Sequence, residues 1–120
     1  MPATQVMLGT TTYGVPSGNY DGSSLDWSSD AVRAADYYRG RGGLQTIRFD
    51  LSGFQGRIVL QATLSPDSPN ANWFKTYEID ASVSPVSNIV SQTVLGNFTW
   101  MRLEILDFTA GVINSVTITY

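Results

Sequence analysis

The stretch that decides the fold class is FTWMRLEIL, residues 98–106, because side chains of two kinds alternate along it. A β-strand turns successive side chains to opposite faces, so a period of two predicts a strand with one face in a core. The predicted core face carries Met101, Leu103 and Ile105. The opposite face would carry Phe98, Trp100, Arg102 and Glu104. A strand with aromatic side chains on its second face is expected to be central in a sheet or to lie at an interface.

Strand patterns of the same kind recur from residue 44 to residue 120. The predicted strands are LQTIRFDL (44–51), RIVLQATL (57–64), WFKTYEID (73–80), IVSQTVL (89–95) and VINSVTITY (112–120). Gly, Pro, Asn and Asp separate them, and these residue types form turns and interrupt β-ladders. Regular turns of this kind predict an all-β fold, an antiparallel two-sheet β-sandwich of jelly-roll type with about eight strands.

The length of 120 residues fits a single domain with one hydrophobic core. Residues 1–43 form its loop-rich part, in which TQVML (4–8) is a candidate strand, and residues 44–120 hold the regular strands. Residues 29–38 are predicted as a further strand, with a helix as the alternative because three alanines occur there.

Composition excludes several classes of function. The net charge is −3 with a single lysine, whereas nucleic-acid binding needs a basic surface. The chain has neither cysteine nor histidine, so thiolate metal sites and Ser–His–Asp or Cys–His catalysis are excluded. No secretory signal and no apolar run long enough to span a membrane is present. We therefore expect a non-enzymatic protein without a cofactor that binds neither nucleic acid nor membrane.

YYRGRGGLQ, residues 37–45, resembles an RGG segment of an RNA-binding protein, but such segments are repeated and disordered. Here the motif occurs once and runs directly into a predicted strand. Its glycines are better explained as positive-φ residues of a turn. Arg39 and Arg41 would then lie on an exposed turn, suited to an acidic protein neighbour.

The segment NYDGSSLDWSSD, residues 19–30, offers oxygen ligands of the kind that calcium prefers. These are Asn19, Asp21, Asp26 and Asp30. Their spacing does not match a helix–loop–helix calcium site, and Asp and Asn are also ordinary turn residues. No metal site is therefore predicted, although calcium stays open as an alternative.

The aromatic residues support two hypotheses. Aromatic and arginine side chains are enriched at the centres of protein interfaces. The predicted interface residues are Phe98, Trp100 and Arg102, with Arg39 and Arg41. Alternatively, aromatic side chains could stack against sugar rings, and the predicted glycan-binding residues are Trp27, Trp73 and Tyr37. A polysaccharide-degrading enzyme would need a pair of carboxylates, and no spacing in the sequence selects one.

Four motifs together resemble a small β-domain found in tailed-bacteriophage virion proteins, especially those of cyanobacterial phages. The motifs are GGLQTI, GFQGRIVLQATL followed by WF, GNFTWMR, and FTAGVINSVTITY. They lie in order and cover nearly all of residues 37–120. They consist of packing and turn residues, so the resemblance implies a fold and a setting but no active site.

The resemblance implies a virion structural protein that acts through protein–protein contacts, such as a head decoration, neck or tail accessory subunit. Its partners would be other virion proteins and further copies of itself, with a trimer as the first expectation. Such a protein is made in the host cytoplasm and works in the virion. The alternative within the same fold is a glycan-binding module for attachment to the host surface.

Overall fold

The structure is a computed structural model that describes residues 4–33, 44–64, 73–96 and 98–119. Its strands all pair in antiparallel fashion, and no helix occurs in these four ranges. The prediction of an all-β antiparallel fold is thereby confirmed. Of the segment 29–38, residues 32–33 form a short strand, and its part beyond residue 33 lies outside the described residues.

Eight strands make up the described fold. They are β1 (Thr4–Leu8), β2 (Thr11–Thr12), β3 (Trp27–Ser28), β4 (Val32–Arg33), β5 (Leu44–Thr63), β6 (Phe74–Asp80), β7 (Ile89–Leu95) and β8 (Trp100–Thr119). Strands β5 and β8 are each 20 residues long. Each was predicted as two separate strands with a turn between them, so the sequence pattern placed the strands correctly but divided two of them.

The two long strands pass through both layers of a β-sandwich. In one layer, the first half of β5 lies between β7 and the second half of β8, and β1 and β2 pair with β8 on its other side. In the other layer, the second half of β5 lies between β6 and the first half of β8, which β3 and β4 border. We call these the β7 layer and the β6 layer. The predicted β-sandwich is therefore correct.

Bulges and glycines mark the passage from one layer to the other. The pairing register of β5 and β8 shifts on both sides of Gln55, and bulges bend strands and increase their twist. Gly53, Gly56 and Gly111 have positive φ angles in this region, of 63°, 147° and 91°. At Gly111 a Cβ atom would collide with the backbone of Gly53, so the two strands approach each other where only glycine fits.

The core lies between the two layers. The predicted alternation is confirmed on β5 and β8, whose inward side chains are almost completely buried. These are Ile47, Phe49, Leu51, Ile58, Leu60, Ala62, Met101, Leu103, Ile105, Ile113, Val116 and Ile118. The ring of Phe49 in the β7 layer lies 6.1 Å from that of Tyr77 in the β6 layer. Burial of this apolar surface is the main stabilising contribution to the fold.

Candidate functional site

The outer face of the β6 layer carries a cluster of tryptophan, arginine and amide side chains. Because Met101 and Leu103 point into the core, their neighbours Trp100 and Arg102 point outward. Arg102 is paired with Gln61 on β5, and Gln61 is paired on its other side with Lys75 on β6. We call this surface the Trp–Arg face, which consists of Gln61, Trp73, Lys75, Trp100, Arg102 and Glu104.

A β-bulge brings Trp73 to this face. Strict alternation along WFKTYEID (73–80) would put Trp73 on the same side as Tyr77 and Ile79, but the register shifts between Leu60 and Gln61. Thr76 is the extra residue on β6, and its hydroxyl donates to the carbonyl of Leu60 at 3.1 Å. Tyr77 and Ile79 therefore pack against the core, and Lys75 and Trp73 lie on the outer face.

Arg102 joins the parts of the Trp–Arg face. Its Nε donates a hydrogen bond to Oε1 of Gln61 at 2.7 Å, and its Cζ lies 4.6 Å from the ring centre of Trp73. A guanidinium over an indole ring is attracted by the negative face of the ring. Within the described ranges, no carboxylate forms an ion pair with Arg102. Its side chain is thus held by neutral groups.

Trp100 extends the face towards β4. It pairs with Arg33, whose Cζ lies 6.0 Å from the centre of a Trp100 ring. Trp100 is half-buried, as are Arg102 and Trp73. The indole rings of Trp73 and Trp100 and the guanidinium groups of Arg33 and Arg102 consequently lie on a single layer.

Two acidic residues near the face, Glu78 and Asp107, are paired with basic residues other than Arg102. Glu78 lies 3.2 Å from Nζ of Lys75 and 3.9 Å from a guanidinium nitrogen of Arg57. Arg57 also approaches Asp107 at 3.4 Å. All of these pairs are at least partly exposed to solvent, so each contributes little to stability. The carboxylates of Glu78 and Asp107 thus pair with Lys75 and Arg57 and not with Arg102.

Phe98 does not belong to the Trp–Arg face, which corrects the prediction that it shares a face with Trp100. Its ring packs against the hydrophobic core and contacts Phe74, with the ring centres 5.7 Å apart. It also occupies the space in which residue 96 would need a Cβ atom, so a larger residue there would displace the Phe98 ring. Phe98 precedes the start of β8, and strict alternation therefore does not extend to it.

Trp27 is part of the core and not of an exposed sugar-binding surface. It is only 9% exposed, and its ring centre lies 5.3 Å from that of Tyr20 and 6.3 Å from that of Phe108. This burial leaves little of the Trp27 ring for a sugar to stack on, and its glycan-binding role stays a prediction. Of the other two residues in that prediction, Trp73 lies on the Trp–Arg face, and Tyr37 lies outside the described residues.

Arg39 and Arg41 also lie outside the described residues, together with the rest of the segment 34–43. Their predicted contact with an acidic neighbour stays a prediction.

The side chains considered as calcium ligands take part in hydrogen bonds within the fold. Asn19 donates to Oδ1 of Asp30 at 2.9 Å, and Oδ1 of Asp26 accepts from the backbone N–H of Asp107 at 3.0 Å. Asp21 accepts from the backbone N–H groups of Ser23 and Ser24, which lower its pKa to about 2. In the part of the chain that the structure describes, no group of three acidic residues is placed to hold a metal ion.

Gln61 is a residue of the face that the sequence analysis did not single out. It lies between Leu60 and Ala62 in the predicted strand RIVLQATL, and both of these are buried, so alternation places the Gln61 side chain on the outer face. Its pairing with Arg102 depends on the register between β5 and β8, which a single strand does not contain. The residue was thus identifiable as outward-facing but not as a partner of Arg102.

Comparison with known proteins gives a structural likeness. No protein-family model and no curated protein matches the sequence. The described residues contain no helix long and apolar enough to cross a membrane. The chain is similar to a family 29 carbohydrate-binding module, CBM29_1, from Piromyces equi, with 10% sequence identity and a TM-score of 0.46. The match covers 98% of this chain and 90% of that chain, and a likeness of this level says nothing about a shared ligand.

Proposed function

We propose that the protein is a non-catalytic carbohydrate-binding module that holds a glycan against the Trp–Arg face. The observation that supports this function is the position of Arg102. Its guanidinium is fixed between Gln61 and Trp73, beside a second tryptophan and without a carboxylate partner among the described residues.

The chemistry of the face suits a sugar ring. A pyranose has an apolar face of C–H groups and a rim of hydroxyls, and an indole ring offers the matching apolar surface. Arginine carries five N–H donors, of which the hydrogen bond to Gln61 uses Nε–H. The terminal guanidinium nitrogens are thus left to donate to ligand hydroxyl groups.

The guanidinium of Arg102 is held in place before any ligand binds, which favours binding through this residue. A long arginine side chain normally loses rotamer freedom when it binds a ligand, and this loss lowers the affinity. Here the hydrogen bond to Gln61 and the ring of Trp73 already hold the guanidinium in one place. Binding through Arg102 therefore costs less side-chain entropy than binding through a free surface arginine.

The same residue types are also enriched at protein–protein interfaces, which is the contact predicted for a virion subunit. The two functions predict different ligands for one surface. A face that binds soluble oligosaccharides in the absence of any protein partner supports the carbohydrate-binding function.

The test is a screen of soluble oligosaccharides and polysaccharides on an array, followed by calorimetric titration of the strongest ligand. We expect Trp100→Ala to weaken binding at least about tenfold and Arg102→Lys several-fold, because lysine lacks the planar donor array. Arg48→Lys is the matched control, because Arg48 lies on the outer face of the other layer and pairs with Asp50. No binding of any glycan, or equal binding by the Arg102 and Arg48 variants, would reject the proposal.

A further inference from the structure

Strand β7, Ile89–Leu95, is an edge strand of the β7 layer among the residues that the structure describes. It pairs with β5 on one side, and no described residue pairs with it on the other. Its sequence IVSQTVL contains no charged residue and no proline. Proteins commonly use these residue types to prevent an edge strand from pairing with another chain. The edge strand of the other layer, β6, carries Lys75, Glu78 and Asp80. The contrast indicates that β7 is built to accept another strand.

The backbone groups on the open edge belong to alternate residues. The N–H of Leu51 donates to the carbonyl of Asn88 at 3.1 Å, so Asn88 bonds inward to β5. In an antiparallel ladder every second residue bonds to the same neighbour. The residues whose backbone groups face away from β5 are therefore Ile89, Ser91, Thr93 and Leu95. Consistently, the hydroxyl oxygens of Thr46 and Thr93 lie 2.9 Å apart, as expected for a pair without backbone bonds between them.

The sequence of β7 is nearly palindromic about Gln92. In an antiparallel pair of two copies with a two-fold axis at Gln92, each residue faces one of its own kind. The facing pairs are Ile89 with Leu95, Val90 with Val94, Ser91 with Thr93, and Gln92 with Gln92. This register also pairs the outward residues with outward residues, so their N–H and C=O groups meet. A register shifted by one residue would set outward groups against inward ones.

We infer that two copies of the protein form a dimer through antiparallel pairing of their β7 strands about Gln92. The dimer joins the two β7 layers into one continuous sheet. Its symmetry is two-fold and isologous, because the same surface serves on both copies. The occupant of the edge is thus a second copy of this chain, and a two-fold dimer takes the place of the trimer expected from the phage resemblance.

The side chains on the exposed face of β7 fit this arrangement. Ile89 and Leu95 are 55% and 73% exposed in the single chain, and each would cover its counterpart on the other copy. Ser91 and Thr93 would hydrogen-bond across the axis, as Thr93 and Thr46 already do within one chain. Cross-strand pairs of these types stabilise a sheet by about 0.2–1 kcal/mol each.

The register of the proposed strand pair determines which substitutions test the dimer. Since position 91 of one copy faces position 93 of the other, the variant S91K/T93K places lysine opposite lysine. We expect the wild type to sediment as a dimer and S91K/T93K as a monomer. The variant S91E/T93E should likewise be a monomer, and an equal mixture of the two variants should form a heterodimer. The control S91E/T93K substitutes the same positions but places glutamate opposite lysine, so it should remain dimeric.

Analytical ultracentrifugation with circular dichroism as a check on folding decides the question. The side chains of Ser91 and Thr93 are exposed, so their substitution leaves the core intact. A monomeric wild type at about 100 μM, where weak specific dimers still form, would overturn the inference. A dimeric S91K/T93K variant or a monomeric S91E/T93K variant would also overturn it. The inference is independent of the glycan function, since the Trp–Arg face lies in the other layer.

Discussion

The guanidinium of Arg102 lies over the indole ring of Trp73, with 4.6 Å between Cζ and the ring centre. Arg102 lies on β8, and Trp73 is the residue directly before β6. Strand β5 lies between β8 and β6. The side chain of Arg102 therefore spans the width of a strand to reach the ring. On β5, Oε1 of Gln61 accepts a hydrogen bond from Nε–H of Arg102.

Replacing Arg102 with lysine should destabilise the protein by about 0.5–1 kcal/mol, because the stacked guanidinium and its hydrogen bond to Gln61 are lost. Urea unfolding monitored by tryptophan fluorescence measures the change. Arg48→Lys serves as the control, since the Arg48 side chain is 50% exposed and its ion pair with Asp50 is 3.7 Å long. Equal stability of the two variants would contradict the role given to the Arg102–Trp73 contact.

Gly111→Ala should lower the free energy of unfolding by at least about 2 kcal/mol, because the new methyl group would collide with the backbone of Gly53 and residue 111 has a positive φ. Gly53→Ala is the matched comparison. Gly53 also has a positive φ, but the nearest atom to its added Cβ is Oγ of Ser87 at 4.0 Å. Its cost should be about 1–2 kcal/mol, for the backbone conformation alone. Thermal unfolding of both variants checks the order, and a Gly53→Ala cost equal to or larger than that of Gly111→Ala would show that the close approach is not the cause.

Phe108→Ala should destabilise the protein by about 3–5 kcal/mol, because the ring is fully buried and its loss leaves a cavity. The ring contacts Tyr20, Trp27 and Phe54, with centre-to-centre distances of 5.1–6.3 Å. Val83→Ala is the control, since Val83 is 92% exposed and should change stability by less than about 0.5 kcal/mol. Near-ultraviolet circular dichroism should weaken in the Phe108 variant alone. A loss below about 1 kcal/mol would mean that the aromatic cluster is loosely packed.

The carboxyl group of Asp21 should titrate near pH 2, since hydrogen bonds from the backbone of Ser23 and Ser24 and from the Ser24 hydroxyl lower its pKa from 3.8 to about 2. In the unfolded chain the group takes up its proton at higher pH than in the folded chain. Its contribution to stability is therefore complete above about pH 4 and is lost as the pH falls towards 2. Carboxyl carbon chemical shifts followed by NMR give the midpoint directly. Ser24→Ala should raise that midpoint, and an unshifted midpoint in the wild type would contradict the structure of this turn.

The strands and the core were predictable from the sequence because alternation is local. Whether Leu103 points inward depends on its own backbone and on its neighbours at 101 and 105, and all three side chains are buried. The outward direction of Arg102 follows from the same rule. The β-sandwich itself could be predicted for a similar reason, since regular alternation with frequent turns is compatible with few other folds.

The partners of those side chains could not be predicted, because they depend on register and bulges. The bulge opposite Leu60 and Gln61 moves Trp73 to the outer face, and no residue in the sequence of β6 marks it. Likewise, the bends that keep β5 and β8 continuous through both layers arise where Gly111 and Gly53 meet, and these residues are 58 positions apart in the chain.

The sequence by itself therefore determined which side chains enter the core and which remain outside. The tertiary structure decided which outward side chains become neighbours. Arg102 and Trp73 meet because three strands align, and Trp27 is buried because it packs onto Phe108. The physical reason is that burial follows from a local period of two, whereas a site requires contacts between distant segments that only the folded chain brings together.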